Sequence, residues 1–162
     1  MREAAEIAKE VGFKYVDFPA TAYMKEDNWE ELFERDAEML NNMGLVVEQT
    51  HAPYEFNGVP DDEYKLWMDR AFKGSKILNA KYVVIHGDKY VADENGFNFD
   101  KGLNTVYDFY APYVEYAKKA GLGVAIENLA EGPVNERWRF TSTVEEILAL
   151  VDKFNDKCIS VC

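Results

Sequence analysis

The sequence predicts an α/β fold of about five parallel strands alternating with helices, in the manner of a partial (β/α)8 barrel. Two observations predict it. An amphipathic helix pattern, a short turn containing Gly or Asn and a hydrophobic strand run recur five times in 162 residues. Polar residues of catalytic type also end three successive strand runs, which is where parallel barrels carry their active sites. We expect residues 1–162 to form a single partial-barrel domain, because a chain of this length buries one core.

The five helix-strand units follow one another with short connections. In chain order, each helix pattern and its strand run are EAAEIAKEVG with FKYVDF, NWEELFERDAEMLNNMG with LVVEQTH, DDEYKLWMDRAFKGSKILN with AKYVVIH, LNTVYDFYAPYVEYAKKAG with LGVAIEN, and STVEEILALVDKFN with KCISVC. Gly12, Gly44 and Gly121 stand just past helix ends, where a left-handed residue is common. Pro112 lies inside the fourth helix pattern and predicts a kink or a break there.

The fifth helix pattern begins with a capping sequence. Thr141, Ser142 or Thr143, followed by Glu145 and Glu146, resembles a capping box.

Two α/β architectures are compatible with this pattern. A flavodoxin-like doubly wound sheet also has five strands in about 160 residues and binds its ligand at a switch point in strand order. Against it, the chain begins on a helix and has no glycine-rich phosphate loop after its first strand. The alternative, an incomplete barrel, is favoured by the polar residues that end three successive strands.

His51, His86 and Glu127 end the strand runs LVVEQTH, AKYVVIH and LGVAIE, and the chain has no other histidine. Two neutral imidazoles and one carboxylate suit a divalent cation such as zinc or manganese. Structural roles compete with this interpretation: His86 can be a satisfied strand-end histidine, and His51 precedes a turn-forming Ala-Pro sequence. A buried Glu127 needs a cation or hydrogen-bond donors. Asp17, in the run YVDF, can reach the same edge or lie at the surface.

Three further residues are candidates for substrate binding. Glu48 and Gln49 are neighbours on one strand and must face opposite ways, so alternation selects Gln49 to point with His51. Asn128 follows Glu127 and can orient its carboxylate or contact substrate, although a turn explains it almost as well. Lys89 can hold a substrate phosphate, but a single lysine is a weak signal.

The charge balance bears on the partners that we expect. The chain carries 30 acidic against 18 basic residues, a formal net charge of −12. Nucleic acid is therefore an unlikely partner, because binding to a phosphate backbone relies on Lys and Arg. No apolar signal core and no run of roughly 18 apolar residues is present, so we expect a cytoplasmic protein that does not bind membranes.

The motif order EAAEIAKEVGFKYVDF, THAPY, VVIHG, YVEYAKKAG with VAIEN, and RFTSTVEEILALVD resembles the xylose isomerase-like barrel superfamily. That superfamily holds sugar phosphate isomerases and epimerases together with metal-dependent apurinic-site endonucleases. The resemblance spans essentially the whole chain. It implies that Glu127 is a catalytic group and a metal ligand, and that His51 and His86 are ligands of the same ion. It also implies Mn, Zn or Mg as cofactor, a sugar or sugar phosphate as substrate, and proton transfer through an enediol.

The resemblance also implies that the chain is truncated at both ends. In the family's strand order it supplies strands two to six, and residues of later strands that complete the metal shell lie beyond ISVC. We therefore expect a partly liganded metal, little or no catalysis by this chain alone, and association through unpaired sheet edges as a homo-oligomer or a domain-swapped dimer. Two alternatives remain: a metal-dependent apurinic-site endonuclease-like phosphodiesterase, and a noncatalytic half-barrel that binds ligand or assembles.

Overall fold

The computed structural model describes residues 1–54, 59–90, 96–129 and 139–162. Helices and strands alternate along it as α1 (Arg2–Glu10), β1 (Tyr15–Pro19), α2 (Trp29–Met43), β2 (Val46–His51), α3 (Asp61–Ile77), β3 (Tyr82–His86), α4 (Phe99–Ala120), β4 (Gly123–Glu127), α5 (Val144–Phe154) and β5 (Ile159–Val161). Short 3-10 turns follow β1 and β3, at Ala20–Tyr23 and Gly87–Lys89.

The strand order is β1-β2-β3-β4-β5. Five parallel strands in chain order confirm the predicted α/β fold of the partial-barrel type. A flavodoxin-like sheet would place its second strand at the edge, in the order 2-1-3-4-5, so that alternative is excluded. Within the described residues, β1 and β5 stand at the two ends of the strand order, so the sheet is open.

The chain forms two compact units. Over the described residues, the first unit comprises Met1–Pro53 and Val59–Val83, and the second comprises Tyr54 and the segments within Val84–Cys162. Each unit has its own strand pairing and its own packed residues.

In the first unit β1 and β2 pair in parallel, and their register shifts by one residue between Val16 and Asp17. Val16 pairs with Val47, whereas Asp17 pairs with Gln49, so Glu48 is the extra residue of β2. The core of this unit packs α1, α2 and the two strands around Phe18, Phe33, Leu40, Leu45 and Val47. A methyl group added at Gly74 would collide with the ring of Phe33, because α3 passes directly against that ring.

In the second unit β4 and β5 pair in parallel, with Val124 opposite Ile159. The largest buried side chains of this unit include Ile85, Tyr110, Ile126, Phe140 and Leu150. β3 is buried along its length after Tyr82, which explains why its terminal histidine is buried as well.

The helices α5 and α4 of the second unit differ in how closely they follow the sequence prediction. The capping box at α5 is present: Thr143 accepts from the backbone of Glu146, and the Glu146 carboxylate accepts in return. By contrast, the sequence predicts a kink or a break at Pro112, and α4 continues through this residue without a break. It also begins four residues before the predicted pattern, because the Asn98 side chain caps it by accepting from the backbone N–H of Lys101.

None of the helices in the described part of the chain combines the length and apolar character that a membrane crossing requires.

Candidate functional site

His86 and Glu127 close strands β3 and β4 and contact each other in the second unit. The distance from His86 Nε2 to Glu127 Oε2 is 3.0 Å. The His86 side chain is 0% exposed, whereas that of Glu127 is 29% exposed. A buried imidazole thus lies against a carboxylate that solvent and small molecules can still reach.

Tyr54 contacts both members of this pair. Its ring stacks on the imidazole of His86, with ring centroids 3.7 Å apart and planes inclined by 21°. Its hydroxyl donates to Glu127 Oε2 over 3.4 Å. Burial and, next, the charge of Glu127 raise the pKa of the Tyr54 hydroxyl.

Sequence reasoning did not single out Tyr54 as a functional residue. The signal in the sequence was its position, three residues after His51 in the motif THAPY. An aromatic residue directly after a strand-end turn is placed to cover a site at that edge of the sheet.

The backbone at both strand ends is held by one turn of the second unit. The Thr141 hydroxyl donates to the carbonyl oxygen of Glu127 at 3.0 Å, and the backbone N–H of Leu129 donates to the Thr141 carbonyl oxygen at 3.0 Å. Next to His86, a Cβ added at Gly87 would collide with the carbonyl group of Phe140 and the hydroxyl of Thr141. The residue after His86 is therefore a glycine because the turn occupies the space of a side chain.

Asp88 and Lys89 follow in the 3-10 turn after β3. Asp88 is 2% exposed and accepts a 3.4 Å hydrogen bond from the hydroxyl of Tyr110. The Lys89 ammonium lies 5.1 Å from the ring centroid of Phe109, a cation–π contact with α4. Asn128, the residue after Glu127, is exposed. The substrate roles of Lys89 and Asn128 stay predictions.

His51 closes β2 in the first unit, and Asp17 and Gln49 surround it. His51 Nε2 lies 3.1 Å from Asp17 Oδ2, and the Gln49 amide donates to the same oxygen at 3.2 Å. Glu48 instead pairs with Lys81 at 2.9 Å. Gln49 and His51 therefore meet one carboxylate, as expected for side chains on one face of the strand.

The donor chemistry of these residues fits a divalent cation. Imidazole nitrogen and carboxylate oxygen are the ligand types that zinc and manganese accept. Two ligand atoms that are each about 2.1 Å from one cation lie roughly 3.0 to 3.4 Å apart, for ligand angles between octahedral and tetrahedral. The 3.0 Å separation of His86 Nε2 and Glu127 Oε2 falls at the short end of that range.

Comparison with known families gives one assignment. The family model described as xylose isomerase-like TIM barrel matches residues 5–162. Comparison with curated proteins gives no match.

Among solved structures, 3-keto-D-glucoside 4-epimerase YcjR from E. coli matches 99% of this chain and 61% of its own, with a TM-score of 0.73 and 16% identity. IOLI protein with a binding zinc atom matches 99% of this chain and 56% of its own, with a TM-score of 0.73 and 17% identity. An AP endonuclease of family 2 from Brucella melitensis matches 99% and 61%, with a TM-score of 0.73 and 15% identity. Likeness at these identities concerns the fold, and the chain spans about three fifths of the length of these structures.

Proposed function

Because this chain belongs to the xylose isomerase-like TIM barrel family, we propose that it is a protein of the sugar isomerase and epimerase type that holds a divalent cation for proton transfer. The observation that carries this proposal is the 3.0 Å contact between His86 Nε2 and Glu127 Oε2 at the ends of two parallel strands. Its support from relatives is that one solved neighbour is a sugar epimerase and another contains zinc.

The proposed ligands are His51, His86 and Glu127. They close β2, β3 and β4, which are consecutive in the strand order. All three side chains offer ligand types that a divalent cation accepts. Two imidazoles favour zinc over magnesium, which prefers oxygen ligands, and the carboxylate also suits manganese. In this proposal Asp17 orients His51 through the 3.1 Å contact to its Nε2, as outer partners of metal ligands commonly do.

The reaction class follows from this set of side chains. When bound, a divalent cation would polarise the carbonyl and the adjacent hydroxyl of an open-chain sugar. The Glu127 carboxylate would take the proton from the carbon that bears the hydroxyl group and return it to the carbonyl carbon, while the hydroxyl proton passes to the carbonyl oxygen, so that an enediol-type intermediate connects substrate and product. Its 29% exposure lets it reach a substrate while His86 and Tyr54 hold it in place.

The substrate class that we propose is a small sugar or sugar phosphate. Gln49 and Asn128 offer amide groups for sugar hydroxyls, and the Lys89 ammonium suits a phosphate group. We also propose that catalysis by this chain alone is weak, because it spans about three fifths of the length of the solved structures that it matches. The outer edges of β1 and β5 have no partner strand in the part of the chain that the structure describes. We propose that these edges support a homo-oligomer or a domain-swapped dimer.

Two other functions have weaker support from these observations. Phosphodiester cleavage at apurinic sites is favoured by the AP endonuclease neighbour, but a net charge of −12 opposes binding to a phosphate backbone. A noncatalytic role in ligand binding or assembly requires only the fold and is the outcome we infer if the metal-loaded protein is inactive.

Metal content and affinity test the proposal directly. Purified protein is analysed for bound metals and titrated calorimetrically with Zn²⁺ and Mn²⁺, alongside Glu127→Ala and the control Glu48→Gln, whose carboxylate pairs with Lys81. We expect Glu127→Ala to lose metal and the control to retain it. Activity is then assayed across pentoses, hexoses and their phosphates with each metal. Full metal content in Glu127→Ala would contradict the proposal.

A further inference from the structure

We propose that Tyr54 is a positioning residue of this site, which holds the imidazole of His86 and the carboxylate of Glu127 in place for a cation. The inference rests on the proposed function, since it concerns the same ligands. It starts from two contacts of one side chain: the ring stacks on His86 and the hydroxyl reaches Glu127.

The ring contact is the stronger of the two. A centroid distance of 3.7 Å at 21° means that the Tyr54 and His86 rings touch face to face over much of their area. Rotation of the imidazole about its own axis would break this stack. The ring of Tyr54 thus fixes the plane of the imidazole and, with it, the direction in which Nε2 points.

The hydroxyl contact is weaker, but its acceptor is the carboxylate oxygen of Glu127 that also lies next to His86. At 3.4 Å the bond from the Tyr54 hydroxyl to Glu127 Oε2 is longer than the usual range of about 2.5 to 3.0 Å for two oxygens. Oε2 is also the atom that lies 3.0 Å from His86 Nε2. One residue therefore restrains both atoms of the contact that carries the proposed function.

Burial separates Tyr54 from the tyrosines that only fill the core. Tyr64 is 1% exposed and donates to the carbonyl oxygen of Pro53 at 3.0 Å, as a structural tyrosine does. Tyr54 is 39% exposed and touches polar groups of the site instead. Its removal should therefore change the site more than it changes the stability of the fold.

A pre-oriented ligand pair binds a cation more tightly, because less conformational freedom is lost on binding. Outer-shell partners of metal ligands commonly contribute about 10- to 100-fold in affinity. Because the hydroxyl contact is a long hydrogen bond, we expect Tyr54→Phe, which keeps the ring, to weaken binding by about 2- to 3-fold. We expect Tyr54→Leu, which removes the stack, to weaken it by about 10-fold or more.

The test combines two measurements on the full chain. Calorimetric titration with Zn²⁺ and Mn²⁺ gives the dissociation constants of the unsubstituted protein, Tyr54→Phe, Tyr54→Leu and the control Tyr82→Leu. Tyr82 is a matched control, because it is 38% exposed and begins β3, the strand that His86 closes. Circular dichroism during heating checks that each variant is folded.

Proton NMR of the metal-free protein reads the stack itself. The two histidines give few ring signals, and a His51→Gln variant assigns them. We expect the ring protons of His86 to lie upfield in the unsubstituted protein and in Tyr54→Phe, and to move downfield in Tyr54→Leu.

Each outcome of these measurements supports or overturns the positioning role of Tyr54. Weaker metal binding in Tyr54→Leu, with an unchanged Tyr82→Leu control and the expected NMR shift, supports the positioning role. Equal binding in all variants overturns it and leaves the proposed function intact. Failure of the unsubstituted chain to bind either metal overturns the proposed function and this inference together.

Discussion

The hydroxyl of Thr141 donates to the carbonyl oxygen of Glu127 at 3.0 Å, so a residue 14 positions away in the chain fixes the backbone that carries the central carboxylate. Thr141 is fully buried and adopts φ 70°, a left-handed conformation that is costly for a β-branched residue. The surrounding contacts of the turn hold it in that conformation.

Removal of this hydroxyl should loosen the end of β4. Thr141→Val keeps the shape and the branched Cβ but deletes the donor, so we expect a loss of about 0.5 to 1.5 kcal/mol in the free energy of unfolding. Urea denaturation measures the loss. Ser142→Ala is the control, since its hydroxyl bonds to the Arg139 carbonyl oxygen rather than to β4. A Thr141→Val midpoint equal to that of the unsubstituted protein would contradict the role of this bond.

Gly87→Ala should damage both the fold and the site. The added carbon would overlap the Phe140 carbonyl and the Thr141 hydroxyl, so the turn must shift. We expect a loss of about 1 to 3 kcal/mol in stability, as for overpacked cores, together with weaker binding of Zn²⁺.

Gly74→Ala supplies the comparison for that variant. Its added carbon would meet the ring of Phe33, and both residues belong to the first unit, which contains neither His86 nor Glu127. We expect a loss of stability of similar size with unchanged metal affinity. If both alanine variants bind Zn²⁺ as the unsubstituted protein does, the turn does not set the position of the ligands.

Stability should fall at high pH through Tyr23. Burial, and then the hydrogen bond to Asp36 (2.6 Å), raise the pKa of Tyr23 from 10.0 to about 12. A group with a raised pKa in the folded state contributes stability that is complete below its unfolded value and is lost as the pH rises through the folded value. The contribution should therefore disappear between pH 10 and 12.

Chemical denaturation at several pH values between 8 and 12 measures this loss. Tyr23→Phe should flatten the pH dependence, and at neutral pH it should cost about 1 to 3 kcal/mol, because Asp36 is buried and loses a donor. Tyr15→Phe, at an exposed tyrosine, is the control. An unchanged slope in Tyr23→Phe would show that another group causes the high-pH loss.

Acid should weaken the second unit through Asp156. The hydrogen bond from Lys118, followed by that from the backbone N–H of Cys158, lowers the pKa of Asp156 from 3.8 to about 2. A lowered pKa contributes stability that is present above the unfolded value and is lost as the pH falls through the folded value. The loss should therefore occur between about pH 4 and 2.

Thermal melts between pH 2 and 6 test this expectation. Asp156→Asn should remove the part of the pH dependence that Asp156 causes and lower the melting temperature at pH 6. Asp152→Asn, at an exposed carboxylate on α5, should leave both unchanged. Identical acid profiles for Asp156→Asn and the unsubstituted protein would exclude this pair as an acid-sensitive contact.

The strand ends and their order show what the sequence can predict and what it cannot. Hydrophobic runs located the ends of β2, β3 and β4, because each run stops at His51, His86 or Glu127. Strand order depends on tertiary pairing, which the helix-strand periodicity does not contain, so the flavodoxin-like alternative was excluded only by the structure.

The residues that support the site were harder to find in the sequence. Tyr54 lies outside the regular elements, where neither period 2 nor period 3.6 assigns a direction to its side chain. The sequence indicates Thr141 only as a capping candidate, because its bond to Glu127 joins residues far apart in the chain. Local sequence signals predicted their features correctly. The capping box at Thr143 and the left-handed glycines depend only on adjacent residues.

The register shift between β1 and β2 decides which neighbour Asp17 has. In an uninterrupted register Asp17 would lie opposite Glu48, and two negative charges would repel each other. The extra residue moves the alternation by one position, so an amide and an imidazole meet Asp17 instead. A pairing of β1 and β2 in uninterrupted register would therefore reverse the electrostatic character of this strand end without replacing a single side chain.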